Sequence, residues 1–319
     1  MRGASDQAGS RSAHQALSKA ILSTVAYADV FDYPLTLAQI HRYLIGVAAL
    51  PSTVRNVLHG EALVSRQLGH SNGYYCLAGR EAIIETRLYR AEVAARIWPK
   101  AQRYALSIAS LPFVRMVAIT GTLAMNNVDP NADIDCLIVT VPHRVWLARS
   151  LSIAFVYLGR LENVELCPNY VLSLDALDQF DRSFFSAHEI AQMVPLYGLD
   201  IYSRLIHANS WAKRHLPNAF GTNAFNSHAQ GKRTQMSRIR MALKRSAENI
   251  LGATLGDYWE RRESSRKMDR LTAEAACSGT NAAAFTPECC KGHLNDHGER
   301  IRQAYARRLR QLGLEPQAF

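Results

Sequence analysis

The 319-residue chain has no long apolar run. The longest, Leu151 to Leu158, is far short of the about 20 residues that a membrane-spanning helix requires, and Arg149 and Arg160 bracket it, so it reads as a buried helix. A secretory leader is not visible either. Residues 1–13 are small and polar, with Arg2, Asp6 and Arg11 and no apolar segment behind them, so the expectation is a cytoplasmic protein without a membrane partner. Cysteines are few and scattered: Cys76, Cys136, Cys167, Cys277, Cys289 and Cys290 have no framework spacing, which argues against a disulfide scaffold and for free thiols. No internal repeat stands out, which argues against a solenoid. Charged residues make up 20% and hydrophobic residues 48%, a balance that excludes a mostly disordered chain.

What is present is an uneven distribution of charge beneath a net +10. Residues 1–110 carry 12 Lys/Arg against 7 Asp/Glu, residues 111–218 carry 8 against 10, and residues 219–319 carry 17 against 10. An acidic middle between basic flanks points to different roles along the chain.

Periodicity divides the chain further. After a flexible start over 1–13, residues 14–79 read as helix, helix, helix and hairpin, the order of a winged helix-turn-helix. Leu17, Ile21, Leu22, Val25 and Ala26 form the first helical stripe, and Phe31-Asp32-Tyr33-Pro34 forms a turn. Thr36 with Gln39 is a capping-box signature, and Pro51-Ser52-Thr53 opens a further helix that ends at Gly60. Leu63–Leu68 and Tyr74–Leu77 are the expected arms of the hairpin. Residues 80–110 form a linker helix, with a kink or break at Pro99. Residues 111–217 alternate strand and helix: strands at Phe113–Thr120, Asp133–Thr140 and Val164–Ser173, the last edged or bulged by Pro168, and helices at 142–160, 175–192 and 197–215. Residues 218–232 read as a mobile linker and 233–319 as a basic helical region, with one helix over 233–262, a small-residue loop over 276–288 and a final helix over 292–312. The fold class expected is α/β with a mixed sheet.

The stretch with chemical content runs from Ile119 to Thr140: Ile-Thr-Gly-Thr-Leu-Ala-Met-Asn-Asn-Val-Asp-Pro-Asn-Ala-Asp-Ile-Asp-Cys-Leu-Ile-Val-Thr. Gly121 lets the backbone approach a bound group, and Thr122 offers a hydroxyl and an amide at a helix start, suited to a phosphate. Asp133 and Asp135 are two apart on a strand, so both carboxylates face one side. Paired carboxylates repel one another and favour a divalent cation. Mg²⁺ is commonly held by one or two carboxylates together with substrate phosphates, which is the equipment for phosphoryl or nucleotidyl transfer.

Gly121-Thr122, ten intervening residues and Asp133-Ile134-Asp135 in an apolar strand resemble the nucleotidyltransferase superfamily that includes DNA polymerase β-like and aminoglycoside nucleotidyltransferase-like proteins. The resemblance covers roughly 111–180. The whole chain also looks like bacterial proteins that join a winged-helix segment to such a domain. The resemblance implies an Mg²⁺- or Mn²⁺-dependent enzyme that moves a nucleoside monophosphate from an NTP to an acceptor. It places Asp133 and Asp135 as catalytic metal ligands and Gly121 and Thr122 at the nucleotide. Thr122 replaces the usual serine and keeps the hydroxyl. A third carboxylate is expected on the following strand, with Glu165 the first candidate and Asp175 the second. The alternative is a winged-helix regulator that binds nucleic acid or nucleotide with a non-catalytic nucleotidyltransferase fold.

Other residues read more plainly. Asp129 before Pro130, with Asn126 and Asn127, suits a turn. Cys289, Cys290, His293 and His297 offer zinc-ligand chemistry, but adjacent cysteines are poor co-ligands for one tetrahedral ion, and a surface helix start is favoured. Arg55, Asn56, His59, Arg66 and His70 give the winged-helix segment a thin basic surface for nucleic acid. Lys232, Arg233, Arg238, Arg240, Lys244, Arg245, Arg261 and Arg262 decorate the basic helix, where they are a solvated face or an attraction for a polyanion. Its Met236, Ile239, Leu243, Ile250, Leu251 and Leu255 are expected to form one buried stripe.

Overall fold

A computed structural model describes residues 2–130, 132–178, 180–220, 236–252, 254–277, 283–292 and 297–315. The N-terminal part holds helices α1 (Arg2–Asp29), α2 (Leu37–Arg42), α3 (Pro51–Gly60) and α4 (Ala62–Gln67). Strands β1 (Leu35–Thr36), β2 (Leu68–Ser71) and β3 (Tyr74–Leu77) pair antiparallel in the order β1-β3-β2. The capping box is formed: Gln39 N donates to Thr36 Oγ1 at 3.3 Å and Thr36 N donates to Gln39 Oε1 at 3.0 Å. Asn72 and Gly73 take φ of 53° and 77°, the left-handed pair that a two-residue hairpin turn demands.

That turn corrects the expected hairpin. It pairs Ser71 with Tyr74 and Leu68 with Leu77, so β3 has no partners left for residues 63–67. That segment coils into α4 instead, burying Val64 alone.

The rest of the chain is built on a six-stranded mixed sheet, ordered β7-β4-β5-β6-β9-β8. Helix α5 (Ile83–Ala109) leads into β4 (Val114–Ile119), then the short α6 (Gly121–Ala124), β5 (Ile134–Thr140), α7 (Val145–Leu161) and β6 (Leu166–Ser173). Helix α8 (Phe184–Gln192), β7 (Val194–Tyr197) and α9 (Leu199–Ala208) follow. The C-terminal part supplies α10 (Arg238–Leu251), α11 (Thr254–Cys277), β8 (Ala284–Thr286), β9 (Cys289–Lys291) and α12 (His297–Gln311). β5 runs antiparallel to β4 and parallel to β6.

Alternation sorts the strand residues onto two covered faces. Val117, Ile119, Ile134, Cys136, Ile138 and Val171 pack against α5 and α7. Met116, Ala118, Leu137, Val139, Tyr170 and Leu172 pack under α8, α9, α12 and the end of α1, where Tyr27, Phe184, His188 and Tyr305 make a nest of aromatic rings. The N-terminal part is tied to the same core through Tyr27, Tyr43 and Ile45.

Several expected boundaries move. Pro99 lies inside α5 without ending it, between the buried Trp98 and Ala101. Pro168 sits on an interior strand. The register passes from Asp135↔Cys167 to Leu137↔Tyr170, so β6 carries an extra residue there and is bulged rather than edged. The four-residue β7 was not expected, and β8 and β9 arise where a loop and a helix start were expected. β9 pairs with β6, so the C-terminal part is not purely helical and extends the central sheet. The single basic helix is two helices, parted at Gly252. Its apolar stripe is not buried: Ile239, Leu243, Ile250 and Leu255 are exposed. The linker expected over 218–232 lies outside the described residues from 221 onward. No helix among the described residues is long and apolar enough to cross a membrane.

Helix α7 opens without a side-chain cap from its own flank. The buried Glu260 of α11 takes that role, accepting from Trp146 N at 3.0 Å and Leu147 N at 2.7 Å. Replacing Glu260 by Ala leaves two buried amides unsatisfied, and a loss of about 2–3 kcal/mol in urea unfolding is expected. Glu260→Gln keeps one acceptor oxygen and is expected to lose less.

Candidate metal centre

β5 is flanked on both sides, and every residue from Cys136 to Thr140 is buried. Asp135 breaks that pattern as the one charged residue of the strand, and it is half-buried. A carboxylate at such a position calls for compensating partners. One neighbour is the turn that ends β4. Gly121 adopts φ +64°, and a Cβ built on it would collide with a carboxylate oxygen of Asp135 and lie 3.2 Å from its Cγ. Glycine is therefore required twice over, by the left-handed backbone and by the carboxylate pressed against it. The side chain of Thr120 does not cap α6, and Thr122 is exposed beside the turn.

On the other side the parallel ladder sets Cys167 opposite Asp135. Asp133, Asp135 and Cys167 each offer a ligand atom, and these atoms lie within 4.8 Å of one another. Among the described residues this is the one such group. Asp133 is exposed and the other two are half-buried, so the group opens to solvent at the start of β5 and β6.

Cys167 is the residue that sequence reasoning missed. Glu165, the first candidate for the third acid, lies beside Asp133, where Ile134 N donates to its backbone oxygen at 2.7 Å. Val164 and Leu166 point into the core on the α7 side, so Glu165 and Cys167 share the opposite face. The Glu165 side chain is nevertheless 63% exposed and ends 3.9 Å from Arg160, outside the group. Asp175, the second candidate, follows the far end of β6. There it lines an open groove with Asp178, Arg204 and His207, a strand's length from Asp133. The signal that could have found Cys167 is register: once β5 and β6 are read as parallel neighbours, the Asp135 rung must hold a β6 residue.

The loop after α6 is anchored from the N-terminal part. Tyr33 Oη donates to Met125 O at 2.7 Å, Asn127 Nδ2 donates to Phe31 O at 3.0 Å, and Arg90 Nε bonds Asp129 at 3.0 Å. Trp98 Nε1 donates to Asn126 Oδ1 at 2.6 Å. Asn127 N in turn donates to Thr122 O at 2.9 Å. Asn126, Asn127 and Asp129 are thus turn formers that brace the Gly121 turn.

The donor set fits a hard cation. Two carboxylates at an opening to solvent could hold Mg²⁺ or Mn²⁺. Burial, then the charges of Asp135, Asp133 and Glu165, push the Cys167 thiol up to about 12, against the opposing pull of Arg149. Burial and the neighbouring acids thus favour the protonated thiol in the metal-free site. The zinc alternative loses its geometry. Cys289 packs in the core on the α8 side and Cys290 in the core on the α7 side, so the adjacent cysteines face opposite ways. His293 and the side chain of His297 lie outside the described residues.

Comparison with protein families, with curated proteins and with solved structures finds no match. The chemistry is therefore read from the geometry of the site. Gly121→Ala is expected to weaken Mn²⁺ binding by about tenfold or more, as when a group that orients a metal ligand is lost. Isothermal titration checks this, with circular dichroism to confirm the fold. Unchanged affinity would remove the Gly121–Asp135 contact from the account.

Proposed function

We propose that the protein is an Mg²⁺- or Mn²⁺-dependent nucleotidyltransferase. The observation that carries this reading is the Asp133–Asp135 pair, with the Asp135 carboxylate packed on a left-handed Gly121. Asp133 and Asp135 would hold the cation, which when bound neutralises charge on the triphosphate. The backbone at Gly121 and the hydroxyl of Thr122 would receive phosphate oxygens. An acceptor hydroxyl attacks the α-phosphorus. The new O–P bond forms as the bond to the β-phosphate oxygen breaks, and pyrophosphate leaves. The acceptor's proton goes to a carboxylate. Glu165, exposed on the shared face with its side chain toward Arg160, would have to turn toward Asp133 to take that proton.

One observation favours a second reading. The β6 residue opposite Asp135 is Cys167 and not an acid, which suits a protein that binds nucleotide and transfers nothing. The N-terminal part would then be the effector. Its order of helix, strand, three helices and hairpin, with an antiparallel β1-β3-β2 sheet, supports a winged helix-turn-helix. Its outward α3 residues Arg55, Asn56 and His59 form only a narrow surface for nucleic acid. The basic C-terminal helices add less attraction for a polyanion than their sequence suggests, because Lys244 is buried against backbone carbonyls.

Filter binding and transfer assays with α-labelled NTPs separate the readings. Wild type is expected to bind NTP only with Mg²⁺ or Mn²⁺, and Asp133→Ala/Asp135→Ala to lose at least about a hundredfold, the scale of removing a charge-stabilising group. Label transferred to an acceptor supports the enzyme, and cation-dependent binding without transfer supports the regulator. Cation-independent binding, or none, contradicts both.

A further inference from the structure

Helix α10 is packed with its polarity reversed. The face against the protein is charged. Lys244, 7% exposed, donates from Nζ to Ala109 O at 2.7 Å and to Val114 O. Glu248, one turn on and the sole acid of the helix, accepts from Phe113 N and from Arg115, each at 2.7 Å. The opposite face is open and aliphatic, with Ile239, Leu243 and Ile250 at 74%, 66% and 69% exposed.

The charges left outside are of one sign. At about 3.6 residues per turn, Ile239, Leu243 and Ile250 form one narrow strip along the helix. Arg240 stands on one edge of that strip, and Arg238 and Arg245 stand on the other, all three exposed. The nearby acids are engaged elsewhere: Glu248 inward, Asp257 with Arg144 at 2.6 Å, and Glu260 with the first amides of α7. Among the described residues these three arginines have no acid partner.

An occupant of this face must take aliphatic side chains along its middle and balance cations along both edges. A second copy would bring arginines against arginines and no acid to match them. A nucleic acid offers phosphates but no apolar layer for the strip between them. The boundary between headgroups and acyl chains of an anionic bilayer offers both, one above the other. Long arginine stems let the guanidinium groups stay among the headgroups while the strip sinks below them.

We propose that α10 lies flat on an anionic lipid surface, with Ile239, Leu243 and Ile250 in the acyl boundary and Arg238, Arg240 and Arg245 at the headgroups. A helix of this kind rests on one leaflet, in keeping with the lack of a spanning helix among the described residues. Lys244 and Glu248 remain bonded to the protein, so the attachment needs no refolding of the helix.

Co-sedimentation of the full chain with phosphatidylcholine vesicles, and with mixed phosphatidylcholine–phosphatidylglycerol vesicles, tests this. Binding to the mixed vesicles is expected to be about a hundredfold tighter, from three cations near an anionic surface, and to weaken as salt is raised. Arg240→Gln/Arg245→Gln is expected to lose about thirtyfold. Leu243→Ser/Ile250→Ser, which leaves the charge unchanged, is expected to lose about tenfold or more. Both variants change exposed positions and are expected to keep the circular dichroism of wild type. A wild type that stays in solution, binds both vesicle types equally, or sediments undiminished after the serine changes overturns the proposal. So does a wild type that leaves the vesicles in solution while binding poly(U), or while showing a two-chain mass in light scattering, through these same residues.

Discussion

The register of β5 between β4 and β6 is the constraint on which the rest depends. β5 runs against one neighbour and along the other, so its entry end meets the exit of β4 and the entry of β6 together. That meeting point brings Gly121, Asp135 and Cys167 into contact distance, from positions separated by a turn on one side and a whole helix on the other. A slip of one residue would turn Asp133 and Asp135 into the core beneath α7 and place Ile134 and Cys136 at the opening. The buried residues downstream, Leu137 to Val139, hold the register by filling both faces.

Around that point the molecule is braced from the outside. The N-terminal part and α5 hold the loop after α6 through Tyr33, Asn127, Arg90 and Trp98. The buried Asp29 at the end of α1 bonds both Arg80 and Arg308, joining the N-terminal part to α12. The N-terminal part is therefore hydrogen-bonded to a segment continuous with the Gly121 turn. The acidity of the middle of the chain has a local meaning: it includes two carboxylates that share one opening, within a protein otherwise rich in cations.

Local signals were legible in the sequence and long-range ones were not. The Thr36–Gln39 box, the Pro51 helix start and the strand through Asp135 depend on neighbours a few residues away, and each is formed. The first arm of the hairpin was misjudged because Leu63 and Val64 have strand-like apolarity, while the Asn72–Gly73 turn decides how many residues can pair. The extra register residue at Pro168, the insertion of β9 beside β6 and the identity of the third group as Cys167 all follow from which strands become neighbours. The face of α10 was misassigned for the same reason. Periodicity reveals a stripe, but the carbonyls of Ala109 and Val114, far away in sequence, decide that Lys244 lies inside and Leu243 outside.

The central claim is that one divalent cation binds between Asp133 and Asp135 where substrate phosphates reach it. Anomalous diffraction from crystals grown with Mn²⁺ and a non-hydrolysable NTP analogue tests it directly. The account predicts a manganese peak bridging the two carboxylates, with triphosphate oxygens completing its shell beside Gly121. A manganese peak elsewhere, or a nucleotide bound away from the Gly121 turn, would contradict it.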